Sequence, residues 1–474
     1  MLEIGSKERI EKLETEVFEL KALVNTLVSE NLYLKGRVKF LENKLSLNSK
    51  NSSKPPSSDS FVKQTKTLRT KGKKKAGGQK GHDGKTLEMS ETPDNIEIHK
   101  LEKCAYCQDN LSNAEIINVE KRQVFDLPAF CLEVTEHQVE TQICCTCGQL
   151  NKGIFPDSVS APVQYGNRVK AFCLYFNNFQ FIPYERVSET MENLLGIRVN
   201  ESSVFNYNKE LYDNLEITDK MLRNRILSSK VLNLDETGFY INGERNWLHS
   251  YSTRSLTYYS NHEKRGSIAM NEIGILPLFK GIGVHDFWKS YLNYDFNHIL
   301  CNSHHLRELN FVSESEKFDW SDKIKNLLLE IKNTVDETKF IGYSSLSKNA
   351  LNQYSKTYLS ILNDGLLNYP KSELRKQTKG KNLLDRLINH KDSVLAFMYD
   401  FDIPFDNNQA ERDIRMMKLK QKISGGFRTE TGADYFCRIR SFISTAKKHG
   451  ENILQQIFLA IENKDYVPQF LYNT

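Results

Sequence analysis

The stretch VLNLDETG, residues 231–238, ends an apolar run with an acidic residue, Asp235. A carboxylate at the tip of a buried strand costs free energy unless it is paired or binds a cation. Two further acids stand in comparable places: Asp286 follows the run GIGVH, and Glu411 lies in NNQAER, which predicts a helix. Three such carboxylates favour a site with two Mg²⁺ (or Mn²⁺) ions that cuts and joins phosphodiesters.

The pattern around Asp235 predicts a mixed sheet with helices. Alternating apolar residues and turn residues place strands at 231–241, 247–252, 256–260, 278–285 and 298–301, with a helix at 264–275. If these strands pair, the two strand-borne acids can lie close together. A further helix opens at His304 and His305, where a histidine is more often a structural hydrogen-bonding group than a ligand. Long helices with Lys-rich faces are expected at 315–400.

The helix that carries Glu411 has its own signals. Asp406 and Gln409 resemble a capping box, and Ala410, Ile414 and Met417 form an apolar stripe. Arg415 shares a face with Glu411, so we expect it to pair with that carboxylate or to contact phosphate. In this helix and the segment that follows it, the residues expected to face DNA are Arg415, Lys418, Lys420, Lys422, the segment Gly425-Gly426-Phe427 and Arg428.

Residues 10–45 contain a heptad repeat. Ten of its eleven a and d positions are apolar, with leucine at every d position, including Leu20, Leu27 and Leu34. β-branched residues at a with leucine at d favour a parallel two-stranded coiled coil, and Asn31 at an a position would fix its register and strand number. The alternative is a single amphipathic helix packed on a globular domain.

A Pro/Ser-rich segment and then a Gly/Lys-rich segment follow the heptads. Residues 61–85 carry nine Lys or Arg and one Asp, although the whole chain has a net charge of only +5. Such a run is either a solvated linker or an arm that binds phosphate. We assign Lys73, Lys74, Lys75 and Lys80 to DNA binding.

Four of the nine cysteines form two C-x-x-C pairs, Cys104/Cys107 and Cys144/Cys147, separated by 36 residues. Two such pairs are typical of one tetrahedral structural Zn²⁺ site, whereas disulfides are not expected in a cytoplasmic chain. The alternating segments at 122–127 and 131–144 predict two or three strands, which together make a zinc-ribbon-like module. The alternative is a set of reduced core cysteines.

The region at 160–225 is predicted to be helical. Helices at 184–195 and 201–211 flank the turn GIRVN, in which Gly196 suits a C-cap and Asn200 an N-cap. This arrangement resembles a helix-turn-helix, although such helix pairs are also common in plain bundles.

Taken in order, these features resemble a known family. The order is a zipper, NSSKPPSSD, a Gly-rich basic segment, two C-x-x-C pairs, LDET, HDFW, NNQAER and GGFRTETGA. It resembles the DDE transposases of the bacterial insertion sequence 66 family over nearly the whole chain. The resemblance implies a ribonuclease-H-like core with a helical insertion, and Asp235, Asp286 and Glu411 as its first, second and third acids.

The resemblance also implies the partners. These are DNA, at the ends of the insertion element and at the target, a homodimer or higher oligomer, and helper proteins encoded by the element. Two departures stand outside the acids: Lys80 replaces a usual proline, and His449-Gly450-Glu451-Asn452 replaces Asn-Gly-x-x-Pro. These departures affect the expected contacts with DNA and not the three expected catalytic acids.

The sequence therefore predicts a multidomain α+β protein of 474 residues. No apolar run approaches the roughly 18 residues of a membrane span, and Met1–Ile10 lacks a signal-peptide pattern, so we expect a cytoplasmic protein that joins the nucleoid when bound to DNA. The expected domains are a coiled coil (1–48), a basic linker (49–95), the zinc-ribbon-like module (96–155), the helical region (160–225), the first part of the ribonuclease-H-like mixed α/β core (226–314), a helical insertion (315–402) and the last core and C-terminal helices (403–474).

Two other functions remain open from the sequence. One is a catalytically silent DNA-binding regulator derived from a transposase, and the other is a ribonuclease-H-like nuclease. The retention of all three acids argues against the regulator, and the upstream zipper and cysteine pairs argue against the plain nuclease.

Overall fold

The computed structural model describes residues 2–45, 87–127, 131–369 and 377–472. The chain divides into two compact units, one formed by Lys63–Glu136 and the other by Met1–Val62 with His137–Thr474. In the described ranges, no helix is both long and apolar enough to cross a membrane. The basic arm with Lys73, Lys74, Lys75 and Lys80 lies outside the described residues.

The heptad region forms one helix, α1 (Leu2–Leu45). Its d-position side chains are exposed: Leu20, Leu27 and Leu34 keep 59%, 54% and 58% of their surface. Asn31 is exposed as well. An apolar stripe left in solvent along a helix is what a coiled-coil strand presents before pairing. The helix is confirmed, and its pairing with a second copy stays a prediction.

Each C-x-x-C pair forms the same tight turn. The N–H of the first cysteine donates to the carbonyl five residues on (2.8 Å for Cys104, 2.9 Å for Cys144), and its own carbonyl accepts from the N–H four residues on. The second turn joins two short antiparallel strands, β1 (Thr141–Ile143) and β2 (Leu150–Lys152). In each turn, backbone N–H groups lower the pKa of the leading thiol, to about 7 for Cys144.

The two C-x-x-C turns of the predicted Zn²⁺ site belong to different units of the chain, and each turn is described by itself. Cys104, Cys107, Cys144 and Cys147 are all free; the first of each pair is half-buried, whereas Cys107 and Cys147 are exposed rather than enclosed by a metal site. Within the described residues, no three Cys, His, Asp or Glu side chains are grouped closely enough to hold a metal ion. A structural Zn²⁺ site takes four ligands, and one turn supplies only two. The meeting of the two pairs around one ion therefore stays a prediction.

The strand predictions between the cysteine pairs were wrong for most of their length. Within the part of this segment that the structure describes, strand occurs only at Thr141–Ile143, and residues 122–127 and 131–140 are irregular. The apolar members of the alternating pattern stay in solvent, since Val124 and Val134 are each 90% exposed. Alternation stabilises a strand only when one of its faces packs against something.

Four helices follow: α2 (Asn167–Leu174), α3 (Tyr184–Leu195), α4 (Glu201–Asn214) and α5 (Glu216–Leu227), with a π-helical turn at Tyr175–Phe179. Both predicted caps are confirmed. Gly196 ends α3 with a left-handed φ of 70°, and the Asn200 side chain accepts a hydrogen bond from the Ser202 N–H at the start of α4. A DNA-binding role for this pair of helices stays a prediction.

A five-stranded mixed sheet, as predicted, forms the centre of the unit that includes residues 137–474. Its strands are β3 (Val231–Ile241), β4 (Glu244–Ser252), β5 (Thr257–His262), β6 (Ile282–His285) and β7 (Asn297–Leu300), in the order β5-β4-β3-β6-β7. β3, β4 and β5 form an antiparallel meander, whereas β6 and β7 run parallel to β3. The short helix α6 (Ser267–Ile273) connects the two halves.

Helices cover both faces of the sheet. After β7 come α7 (Asn302–Ser315), α8 (Asp319–Phe340), α9 (Lys348–Leu366), α10 (Lys379–Asn389) and α11 (Lys391–Tyr399), which build their own core around Ile324, Leu328 and Tyr358. The last helices are α12 (Asn408–Ser424), α13 (Glu430–Lys448) and α14 (Ile453–Glu462). The stripe of α12 is buried as predicted, with Ala410, Ile414 and Met417 at 0%, 7% and 0% exposure.

Candidate active site

The pairing of β3 with β6 brings Asp235 and Asp286 near each other. β3 pairs with β6 in parallel, with Asn233 opposite Val284. Continued by two residues, the same offset would bring Asp235, in the middle of β3, level with Asp286, which directly follows the end of β6. The two acids lie near the end of β6, close enough for Asp286 to raise the pKa of Asp235.

Asn407 fixes the helix that carries Glu411 against β3 near these two acids. Its side-chain Nδ2 donates to the carbonyl of Leu234, the residue before Asp235, at 2.6 Å. Its backbone N–H donates to the Sγ of Cys301 at 3.1 Å, and its own carbonyl accepts the N–H of Glu411 at 3.2 Å. One buried residue thus joins β3, the start of α7 and the first turn of α12.

The electrostatics of Asp235 follow from this placement. Burial raises the pKa of Asp235 well above its ordinary value, and the nearby carboxylates of Glu236, Asp286 and Glu411 raise it further. A hydrogen bond from the Glu236 N–H to Asp235 Oδ1, at 2.9 Å, opposes this shift. Asp286 and Glu411 therefore lie close enough to Asp235 to affect its ionisation.

Each acid also has a partner of its own. Asp286 Oδ1 accepts the N–H of Trp288 at 3.1 Å, and the Glu411 oxygens lie 3.4 Å from Arg307 and 3.5 Å from Arg415. Across the described part of the chain, the three acids are not among any set of side chains close enough together to hold a metal ion. The three carboxylates repel one another, whereas Arg307 and Arg415 attract the Glu411 carboxylate.

The chemistry of the donors nevertheless suits one kind of metal. The three side chains offer only carboxylate oxygens, which are the ligands that Mg²⁺ and Mn²⁺ prefer, and they offer neither thiolate nor imidazole. A divalent cation would also offset the cost of ionising Asp235 beside other acids. The residues present therefore fit such an ion.

The neighbouring acid Glu236 belongs to the other face of the sheet. Side chains alternate along a strand, so Asp235 faces α12 whereas Glu236 does not. The Glu236 carboxylate is buried, pairs with Arg265 at 2.5 Å and accepts a hydrogen bond from the Tyr291 hydroxyl. Its oxygens are thus already engaged in a structural network.

Two other acids near the helix are engaged in structural contacts. Asp413 forms a buried ion pair with Lys448 at 2.7 Å, and Asp402 pairs with Lys230 at the surface. The predicted capping box formed only in part: Asp406 accepts the N–H of Asn408, whereas Gln409 bonds to Asp413 instead of turning back. Asp413 lies one turn further along the helix and competes for that amide.

A chain of neutral histidines supports the loop that holds Asp286. His285 accepts the Phe287 N–H at Nδ1 and faces His298 through Nε2 at 3.0 Å. His298 in turn contacts the Tyr294 carbonyl. Burial lowers the pKa of His285 to about 3, so the ring stays neutral. The ring is thus held in a network of structural hydrogen bonds.

His304 lies close enough to Asp286 and Glu411 for both acids to affect its titration. Burial nevertheless lowers its pKa overall. Its Nδ1 is buried and has no hydrogen-bond partner in the described part of the chain. His305 differs, because its Nδ1 contacts Asn302 within the core.

The predicted DNA-facing residues divide into two groups. Arg415, Lys418, Lys422 and Arg428 are exposed, and Lys418 also donates to the Gly238 carbonyl at 2.9 Å. Lys420 lies 3.9 Å from the centre of the Phe427 ring, and burial lowers its pKa to about 8. A half-buried ammonium on an aromatic face is more a packing feature than a free phosphate contact.

The glycine segment before Arg428 also has a structural role. The Phe427 N–H donates to the Tyr240 carbonyl at 2.8 Å, and Asn242 donates to the Phe427 carbonyl. A Cβ atom on Gly426 would lie only 2.6 Å from that Tyr240 oxygen. The segment therefore pairs with β3 beyond the point where β6 ends. The sequence did not predict this pairing, because contacts between residues so far apart in the chain leave no local pattern.

Comparison with known families gives two matches. Residues 6–88 match a family of unknown function, DUF6444, and residues 162–435 match the family described as Transposase IS66 family. A search of curated proteins found no match. The second match includes all three acids and covers more than half of the 474 residues. The chain therefore belongs to the IS66 family of transposases.

Proposed function

We propose that this transposase cleaves and joins DNA strands in a metal-dependent reaction at Asp235, Asp286 and Glu411. The observation that carries the proposal is the convergence of the β3–β6 register with the Asn407 contact, which draws acids 51 and 125 residues apart in sequence toward the end of β6. Family membership supplies the reaction class, and the carboxylate donor set supports the metal.

The substrate would be the phosphodiester at each end of the insertion element. Water attacks phosphorus, the bond from phosphorus to the 3′-oxygen breaks, and that oxygen leaves with a proton as a free 3′-hydroxyl. The hydroxyl then attacks a target phosphodiester and displaces the corresponding 3′-oxygen there. Two divalent cations bound by these acids would activate the attacking oxygen and stabilise the leaving one.

The protein's own residues have distinct tasks in this proposal. Asp235, Asp286 and Glu411 hold the cations, and Asn407 keeps the helix of Glu411 in place. Arg307 and Arg415 orient the Glu411 carboxylate and add positive charge beside the phosphate. The Glu236–Arg265 pair supports β3 from the opposite face.

The core is proposed to be ribonuclease-H-like. The support is its topology: a three-stranded antiparallel meander is followed by two strands parallel to the first, with helices on both faces. The helices from α8 to α11 then stand between the second and third acids, as the predicted insertion.

The upstream region is proposed to bind DNA and to pair chains. α1 would form the coiled coil, and the two C-x-x-C turns would each supply two thiolates for structural Zn²⁺, since lowered thiol pKa values favour the metal-binding form. The basic arm and the α3–α4 helix pair would contact the ends of the insertion element.

A strand-transfer assay tests the proposal. Labelled DNA carrying the ends of the insertion element is incubated with Mg²⁺ and a target plasmid, using the wild type, Asp235→Asn and, as an exposed-acid control, Asp402→Asn. We expect the wild type and the control to join 3′-ends to the target, and Asp235→Asn to bind the DNA while losing at least about 10³-fold in rate, as removal of a catalytic group does.

The other outcomes identify the alternatives. Cleavage without joining would favour the nuclease, and binding without either reaction in the wild type would favour the regulator. Equal strand-transfer activity of the wild type and Asp235→Asn would show that Asp235 is not a catalytic residue.

A further inference from the structure

Four side chains on the other face of the sheet from Asp235 form an alternating stack, which we call the Arg–Trp ladder: Arg245, Trp247, Arg265 and Trp288. The guanidinium carbon of Arg245 lies 4.5 Å from the Trp247 ring centre, and that of Arg265 lies 4.8 Å from Trp247 and 4.2 Å from Trp288. Each guanidinium is thus within the range of a cation–π contact.

The ladder lies on the face of β3 that carries Glu236, opposite the face of Asp235, and it reaches the candidate active site through Trp288. Trp288 donates its backbone N–H to Asp286, and Arg265 pairs with Glu236, the residue after Asp235. Gly238 stands opposite Trp247 in the sheet, and a Cβ there would lie 2.9 Å from the Nε of Arg245. The bare glycine therefore leaves the space in which the Arg245 side chain lies.

The charges of the two arginines differ in how they are compensated. Glu236 neutralises Arg265, whose side chain is 39% exposed. Arg245 is exposed at the outer end of the ladder, and in the described part of the chain no carboxylate pairs with it. The ladder thus presents a planar cationic end to solvent and carries about one uncompensated charge.

We propose that the Arg–Trp ladder binds the unpaired nucleotides of the DNA strand that flanks the cleaved phosphodiester, with a base stacked on Arg245. The inference deepens the proposed function and rests on it. A duplex is held by many phosphate contacts, whereas an exposed planar cation beside aromatic rings suits single-stranded DNA, whose bases stack without regard to sequence.

The test compares two probes in EDTA, so that no catalysis is needed. One is a blunt duplex of the terminal sequence of the insertion element, and the other is the same duplex with a short single-stranded flank. Wild-type protein is compared with Arg245→Ala and with the matched control Arg254→Ala. Arg254 is also exposed and lies beyond the other end of the nine-residue β4, which puts it about 30 Å away at 3.4 Å per residue.

We expect Arg245→Ala to weaken binding of the flanked probe about fivefold or more, the lower end of what one stacked base contributes, and to leave the blunt probe nearly unchanged. Arg245→Lys keeps the positive charge but lacks the planar guanidinium, so it should lose most of the preference for the flanked probe over the blunt one. Two of the three tryptophans lie in the ladder, so the flanked probe should also change the intrinsic fluorescence of the wild type.

Equal losses on both probes, or a loss with Arg254→Ala as large as with Arg245→Ala, would overturn the proposal. Full retention of the preference in Arg245→Lys would overturn the stacking contact in favour of a simple charge. Because binding is measured without metal, a failed strand-transfer assay with an intact Arg245 effect would refute the catalytic proposal and leave the DNA contact standing.

Discussion

Asp235 is held where its own charge is unfavourable. Burial and three neighbouring carboxylates raise its pKa, and within the described residues the Glu236 N–H is the one donor to its side chain that opposes this shift. Two other buried acids are paired with cations, Glu236 with Arg265 and Asp413 with Lys448, although burial still raises the pKa of Glu236. Among the described residues Asp235 has no such cation partner. A buried acid without a cation partner costs stability, which is typical of a residue kept for function.

Replacing Asp235 by asparagine should therefore stabilise the metal-free protein at neutral pH. A carboxyl group whose pKa is raised on folding binds its proton more tightly in the folded state, so stability falls as pH rises above its ordinary value of 3.8. Asparagine does not ionise, so the variant does not lose this stability as the pH rises. Thermal unfolding in EDTA from pH 4 upward should show a growing gain in Tm for Asp235→Asn, with about 2–4 °C for each kcal/mol recovered.

Asp402→Asn provides the control, since Lys230 lowers the pKa of this exposed acid and its removal should bring no gain. Added Mg²⁺ should stabilise the wild type more than Asp235→Asn, because a ligand that binds only the folded state raises stability. A lower Tm for Asp235→Asn at every pH would contradict this account of the site.

At the scale of elements, the geometry of the site depends on how α12 meets β3. Asn407 is 2% exposed, and its contacts reach β3, α7 and α12. The Asn407 side chain makes no cap hydrogen bond to the start of α12; its Nδ2 donates across to Leu234, and its Oδ1 is buried without a hydrogen-bond partner in the described residues. The side chain thus connects α12 to β3 instead of capping its own helix.

Asn407→Ala should lower both stability and the apparent affinity for Mg²⁺. The variant leaves the Leu234 carbonyl unpaired in the core, which costs about 1–3 kcal/mol. It also frees the first turn of α12, so cleavage should require a higher Mg²⁺ concentration. Urea unfolding and a Mg²⁺ titration of strand cleavage measure the two effects.

Asn408→Ala is the matched control, because its side chain bonds only to Asp406 at the half-buried surface. It should alter neither quantity by more than a small fraction of the Asn407→Ala effect. An unchanged Mg²⁺ requirement in folded Asn407→Ala would show that Asn407 supports the fold without positioning Glu411.

For the whole molecule, α1 leaves an apolar stripe in solvent along a helix of 44 residues. Isolated helices are marginal in water without packing of an amphipathic face. The leucine spacing makes a second copy of this chain the expected partner. In a parallel pair the flanking charges would also be opposite, as in Glu16–Lys21, Glu30–Lys35 and Arg37–Glu42.

Leu27→Glu should convert a dimer into a monomer. A buried charge at a d position opposes its twin in the partner helix, so light scattering should report about twice 54.9 kDa for the wild type and 54.9 kDa for the variant. Ser29→Glu adds the same side chain at an outward-facing f position and should remain dimeric. A wild-type mass of one chain would rule out the coiled coil.

The sequence by itself determined the features that repeat locally. The bounds of β3, the caps at Gly196 and Asn200 and the buried stripe of α12 all follow from periodicity or from a single backbone requirement, and all three were predicted correctly. The identity of the three candidate acids came from motifs that also mark the family.

Only the tertiary structure decided which residues meet. It brought Asp286 and Glu411 near Asp235, gave Asn407 its three contacts, paired Glu236 with Arg265 and turned Gly426–Phe427 into a partner of β3. It also left the alternating residues near Val124 without a sheet to join, and the thiols of Cys107 and Cys147 exposed. Such contacts join residues far apart in the chain, and their energies depend on burial and partner geometry, which no local pattern of residue types contains.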